Sequence, residues 1–152
     1  MSSLPVKFKK LCPDAKIPAY QTPGAAACDL SAAIDASLTV EPGARTLIPT
    51  GLALDFGTSS ADASVVALIF ARSGLAVKRG LALSNGVGVI DADYRGEIKV
   101  AVVNLGAEPV TVEPGDRIAQ MAFFPVLRAA FEEVPEISDT ERGAGGFGHT
   151  GV

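Results

Sequence analysis

Short apolar runs recur along this chain at intervals of roughly eight to twelve residues, with turns marked by Gly, Pro or Asp between them, which is the signature of small strands folded back on one another. The runs are Leu38 to Val40, Arg45 to Pro49, Gly51 to Phe56, Val65 to Phe70, Leu81 to Leu83, Ile98 to Asn104, Val110 to Val112 and Arg117 to Phe124. Glu41-Pro42-Gly43 and Glu113-Pro114-Gly115 are matching turn signals, because Pro presets φ at one corner and Gly supplies positive φ at the next. Val65 to Phe70 is apolar at nearly every position and reads as a strand covered on both faces. Val6 to Lys9 alternates apolar and charged, which predicts a half-buried edge strand with its lysines in water. The spacing predicts an all-β barrel or jelly roll.

With 152 residues and 48% hydrophobic content, the chain suits one domain with a core that stands without staples. Low aromatic content, 6% with no Trp, alongside many turn formers fits a β-rich fold better than a helical bundle. The net charge of −4, with basic residues scattered, leaves no electrostatic footprint for nucleic acid, although free nucleotides stay admissible. Cys12 and Cys28 have neither metal-ligand nor framework spacing and read as reduced thiols. No export signal core and no membrane-length apolar stretch is present, so a soluble, cytoplasmic protein is expected, with nucleus or organelle left open for a eukaryotic source. From Glu132 onward acids accumulate and the apolar period is lost. The expected division is a barrel domain over 1–131 and a mobile arm over 132–152.

Chemistry concentrates in Asn85 to Lys99, where Gly86 and Gly88 flank β-branched residues and Asp91 and Asp93 lie two apart before Tyr94-Arg95-Gly96. The pattern predicts a hairpin with acids at its bend, either a solvated turn or a working site. Asp29 is embedded in the apolar run Ala25 to Ser31 and needs a cation or donor to answer it. Ser73 could cap a single helical turn facing an anion, with Arg72 beside it. In Gly115 to Gln120, Asp116 and Arg117 could pair on the surface while Gln120 reaches a ligand or its water. His149 is the only histidine, which rules out a Ser-His-Asp triad or a histidine zinc site within one chain, and neither a Gly-x-Ser-x-Gly elbow nor a Walker A loop occurs. The Gly-rich tail Arg142 to Gly151 lacks the strand before and helix after it that a dinucleotide fingerprint requires, though its free N–H groups, Arg and Phe suit a polyphosphate and a base. Any general base must then be a carboxylate, with Asp29, Asp91 and Asp93 the candidates.

Five blocks in order, Ala26 to Leu30, Ala71 to Leu75, Asn85 to Glu97, Gly115 to Gln120 and Arg142 to Gly151, resemble the five motifs of the homotrimeric dUTP pyrophosphatases, the dUTPases. The resemblance spans Ala26 to Gly151; Cys28, Gly74 and His149 depart from the common residues without removing a charge. It implies a jelly-roll-like barrel with one short helical turn and a flexible C-terminal tail. It further implies hydrolysis of dUTP to dUMP and pyrophosphate by water attack on the α-phosphorus, which limits uracil in DNA and supplies dUMP for dTMP synthesis.

By the same resemblance Asp91 is the general base, Asp29 is an acid near the phosphates that orients Arg72 or metal-bound water, and Asp93 is a brace. Tyr94 lies against deoxyribose, Asn85 with Gly88, Val89, Ile90 and Lys99 forms the uracil-reading wall, and Arg72, Ser73, Gly74 and Gln120 meet the α- and β-phosphates. Arg142, Gly146, Phe147, Gly148, His149 and Thr150 close over the base and γ-phosphate. Mg²⁺ is the implied cofactor, held by the triphosphate and waters with no direct protein ligand, Asp29 and Gln120 acting through water. The implied partners are the dUTP substrate and two further copies of the chain in a homotrimer with shared sites, with neither nucleic acid nor membrane. Two alternatives stay open at this point: the related dCTP deaminase, which shares the fold, and a non-catalytic nucleotide-sensing module.

Overall fold

Eleven strands and one helix order the described residues: β1 (Lys7–Lys10), β2 (Cys28–Ser31), β3 (Leu38–Val40), β4 (Arg45–Pro49), β5 (Leu52–Asp55), β6 (Ser64–Ala71), α1 (Ser73–Arg79), β7 (Leu81–Leu83), β8 (Gly88–Ile90), β9 (Lys99–Asn104), β10 (Val110–Val112) and β11 (Arg117–Val126). This is a computed structural model, and it describes residues 3–57 and 64–147. Every ladder is antiparallel. The apolar run around Val66 becomes β6, which pairs along its whole length with β11 and sits inside a sheet of order β2-β11-β6-β8. A second sheet runs β4-β9-β7, and two-stranded ladders join β1 to β5 and β3 to β10.

The sheets close on one core. Leu30, Val40, Ile48, Ile98, Val100, Val102 and Met121 are almost wholly removed from water, each burial stabilising by about 1.5–3 kcal/mol. Asn104 is buried among them without cost, since its amide donates to Val40 O and Glu108 O and accepts from Gly106 N. The two Glu-Pro-Gly turns form as expected, with Ala44 N donating to Glu41 O and Asp116 N to Glu113 O, and with Gly43 and Gly115 at φ 76° and 79°. Separate sheets around a shared core make the fold a jelly roll rather than one continuously bonded barrel. No helix among the described residues is long and apolar enough to cross a membrane.

Three local expectations change. The hairpin does not form as a ladder, because β8 bonds to β6 in one sheet while β9 bonds to β4 and β7 in the other. β7 and β9 are the true antiparallel pair, and residues 84–98 are an excursion between them that delivers β8 to the neighbouring sheet. β1 is exposed at all four positions, Phe8 included, because among the described residues it pairs only with β5 and nothing covers its apolar side. The helical turn extends to seven residues, and its N-cap is Arg72 with no side-chain capping bond, so Ser73 is its first residue and not its cap. Beyond β11 the described chain to Phe147 has neither helix nor strand.

Candidate active site

Asp29 sits on β2 opposite Gln120 of β11, one strand away from the end of β6. That register brings the first, second and fourth sequence blocks together. Arg72 Nε donates to Asp29 Oδ1 at 3.0 Å and Arg117 Nη1 to Asp29 Oδ2 at 2.9 Å, so the nearly buried carboxylate is answered by two guanidinium groups. Arg72 Nη1 also donates to Arg117 O, and Gln120 Nε2 to Ala71 O. One carboxylate against two guanidinium groups leaves a net positive charge, with Ser73 and Gly74 exposed beside it, a place where an anion gains energy. Arg117 therefore pairs with Asp29 and not with its neighbour Asp116, whose carboxylate accepts from Glu113 N and closes the turn. Cys28 is buried behind Asp29 with its Sγ donating to Met121 O; burial pushes its thiol above the ordinary 9.0, so it stays neutral and inert.

The third block makes a different wall. Gly88 lets β8 lie close on β6, where a Cβ would stand 3.0 Å from Ile69 Cβ. A narrow cleft of about 90 Å³ opens there, lined by Asn85, Gly88, Val89, Ile90 and Lys99 against Ile69 and Leu83. It shares Val89, Ile90 and Lys99 with a wider cleft of about 400 Å³ that adds Leu47, Asp91, Tyr94 and Glu97. Asp91 is exposed, and its carboxylate has no bonded partner among the described residues. Tyr94 donates its hydroxyl to Glu97 O at 2.9 Å; Glu97 in turn accepts from Gly51 N and lies 3.5 Å from Lys99 Nζ. Asp93 braces nothing among the described residues; the brace is Arg95, whose guanidinium binds Ala92 O, Tyr94 O and Asp55.

These two groups of residues stay apart within one chain. β2 and β8 form opposite edges of the four-stranded sheet, three strand spacings or roughly 14 Å from each other. In the tail, Arg142 Nε donates to Gly145 O in a local turn, Gly146 follows it and Phe147 is fully exposed, touching neither group. Gly148, His149 and Thr150 lie outside the described residues. Leu47, Glu97 and Arg117 are site-lining residues outside the predicted site set; Glu97 and Arg117 lie within the third and fourth blocks, where Arg117 read as a surface partner of Asp116, and Leu47 carried no signal. Among the described residues no three His, Cys, Asp or Glu side chains gather to hold a metal ion.

Comparison with known proteins agrees with the geometry. The dUTPase family model matches residues 13–151. The chain is 55% identical over its whole length, and over 99% of the relative's, to a deoxyuridine 5'-triphosphate nucleotidohydrolase of Desulfitobacterium hafniense. The fold is that of a Staphylococcus bacteriophage 80alpha dUTPase mutant solved with dUpNHpp, with a TM-score of 0.85, 24% identity, and 99% of this chain and all of the other covered. A mutant dUTPase from phage phi11 of S. aureus, whose structure details a structural Mg(II) ion, superposes with a TM-score of 0.77 at 19% identity, covering 89% of this chain and 99% of that one.

Proposed function

Given that the chain belongs to the dUTPase family, we propose that it hydrolyses dUTP to dUMP and pyrophosphate, at a site that separate copies of the chain complete together. The observation that carries this is the shared cleft of Asp91 and Tyr94 beside Asn85 and β8, a free carboxylate and an aromatic ring on one wall. Val89, Ile90 and Lys99 line the narrow cleft with Asn85, which suits a pyrimidine edge and leaves little space for a ring methyl. Tyr94, fixed by its bond to Glu97 O, packs its ring against the sugar and leaves no room for a 2′-hydroxyl. Asp91 takes a proton from the water that attacks the α-phosphorus.

Arg72, set by Asp29, receives the charge on the phosphates together with Ser73, Gly74 and Gln120. That half-site comes from another subunit of a homotrimer, and Arg142, Gly146, Phe147, Gly148, His149 and Thr150 of a third close over the bound nucleotide. The separation of the halves in one chain and the exposure of Leu127, Phe131 and Ile137 beyond β11 support assembly. The arm over 132–152 is then the moving part of a barrel unit ending near 131.

Mg²⁺ fits the donor set as a partner of triphosphate oxygens and water. Asp29 is committed to two arginines, and Gln120 Oε1 accepts nothing among the described residues, so these two would hold the ion through water. Bound there, it would neutralise phosphate charge. A reaction on free nucleotides suits a cytoplasmic protein, with nucleus or organelle left open for a eukaryotic source; it keeps uracil out of DNA and yields dUMP for dTMP synthesis.

Pyrophosphate release measured in Mg²⁺ is expected to be rapid with dUTP and slight with dTTP, dCTP and UTP, with no ammonia from dCTP. Asp91→Asn is expected to retain dUTP binding and lose turnover by about a hundredfold or more, since an amide cannot accept the proton. Near-normal turnover in that variant overturns the assignment of the base.

A further inference from the structure

We infer that Arg95, anchored on Asp55, is a positioning residue that fixes the turn carrying Asp91 and Tyr94, and so governs both the rate and the sugar discrimination of the reaction proposed above, on which this inference rests. Asp91 to Tyr94 form one tight turn, closed by Tyr94 N donating to Asp91 O at 3.1 Å. The base and the sugar-facing ring are therefore the two ends of one four-residue unit. Nothing from β6 or β9 bonds to the interior of that unit, because β8 stops at Ile90 and β9 begins at Lys99.

Ala92 packs on the core and the Tyr94 hydroxyl bonds to Glu97 O, and the side chain that ties the backbone of the unit to a neighbouring strand is the next residue. Arg95 Nη1 donates to Ala92 O at 2.7 Å and to Tyr94 O at 3.0 Å, and Nη2 donates to Asp55 Oδ1 at 3.0 Å. Asp55 closes β5, which pairs with β1 over four residues, and its carboxylate also accepts from Gly57 N and lies 3.9 Å from Lys7 Nζ, so the turn leans on a strand residue with local partners of its own. Exposed ion pairs in general contribute little to stability. Here the guanidinium fork spans three acceptors, two of them carbonyls of the turn itself, and its planarity sets the spacing among all three. A lysine ammonium cannot cover that set. The effect falls on geometry rather than on folding, since both side chains are part-exposed and outside the core.

The test compares Arg95→Met, Asp55→Asn and the double variant for pyrophosphate release from dUTP and from UTP, with thermal melting alongside. Asn is chosen because it can still accept from Gly57 N, as Asp55 does. Arg95→Met is expected to melt within a few degrees of wild type, to lose roughly ten- to a hundredfold in kcat, and to show a smaller dUTP-to-UTP ratio in kcat/KM, because a catalytic group displaced by about an ångström costs that much. Asp55→Asn shifts both in the same direction by less, and the double variant matches Arg95→Met alone. Wild-type kcat and sugar ratio in Arg95→Met, or losses that simply multiply in the double variant, overturn the inference. Where Arg95→Met does not fold, Arg95→Lys carries the same comparison. A wild-type protein inactive on dUTP defeats the proposed function itself, which is a separate result.

Discussion

Asp29 carries two guanidinium groups on one carboxylate, and the asymmetry of an amide shows what that arrangement requires. In Asp29→Asn one oxygen can still accept from Arg72 or Arg117, but the NH₂ turns a donor toward the other guanidinium and the compensating charge is gone. Urea denaturation is expected to show a loss of about 2–3 kcal/mol, the size of a lost hydrogen bond between charged groups left part-buried. The KM for dUTP is expected to rise more than kcat falls, because Arg72 loses its orientation for ground-state phosphate binding. The need for a cation near Asp29 was legible in the sequence, since an acid inside an apolar run must be answered. Arg72 as one such cation came from the family resemblance, and the second cation was not legible: Arg117 adjoins Asp116 in sequence, yet Asp116 is consumed by Glu113 N, a turn bond that local spacing does not distinguish from an ion pair.

At the level of elements, strand positions were legible and strand partners were not. Leu38–Val40, Arg45–Pro49, Leu81–Leu83 and Val110–Val112 fall where the apolar runs and turns put them, because alternation fixes which residues face the core. Pairing depends on the register of distant segments, so Asn85 to Lys99 reads as a local hairpin although its two arms serve different sheets. The strand that leads into the excursion, β7, is set at the end of α1, where Gly80 at φ 73° donates to Ala76 O and turns the chain into it. A Cβ on Gly80 would strike the backbone of Gly106, which lies in the turn between β9 and β10. Gly80→Ala adds a left-handed non-glycine residue to an overpacked contact, so it is expected to lower stability by about 2–4 kcal/mol in urea or thermal denaturation. An unchanged midpoint would mean that the α1–β7 corner relaxes freely and does not fix the path of the excursion.

For the whole molecule, the decisive geometry is that one chain holds two half-sites on opposite edges of a sheet, with a tail that reaches neither among its described residues. Blocks that lie apart in one chain meet, in the assembly proposed above, across copies, and no single-chain pattern of periodicity shows such a site. That arrangement has a consequence in mixtures. Arg72→Ala damages the phosphate half and Asp91→Asn the base-carrying half, so each homotrimer is expected to be nearly inactive. If the halves at each site come from different subunits, unfolding and refolding the two variants together produces sites that pair an intact Arg72 from one chain with an intact Asp91 from another. Random 1:1 assembly in a cyclic trimer gives about a quarter of sites this composition, so pyrophosphate release near that fraction of wild type is expected. Separately refolded variants combined afterwards, without subunit exchange, stay inactive and serve as the control. Activity that remains at the level of the parent variants after co-refolding would place both halves of each site in one chain, and the roughly 14 Å between the edges of the sheet would then have to be closed by a rearrangement within it.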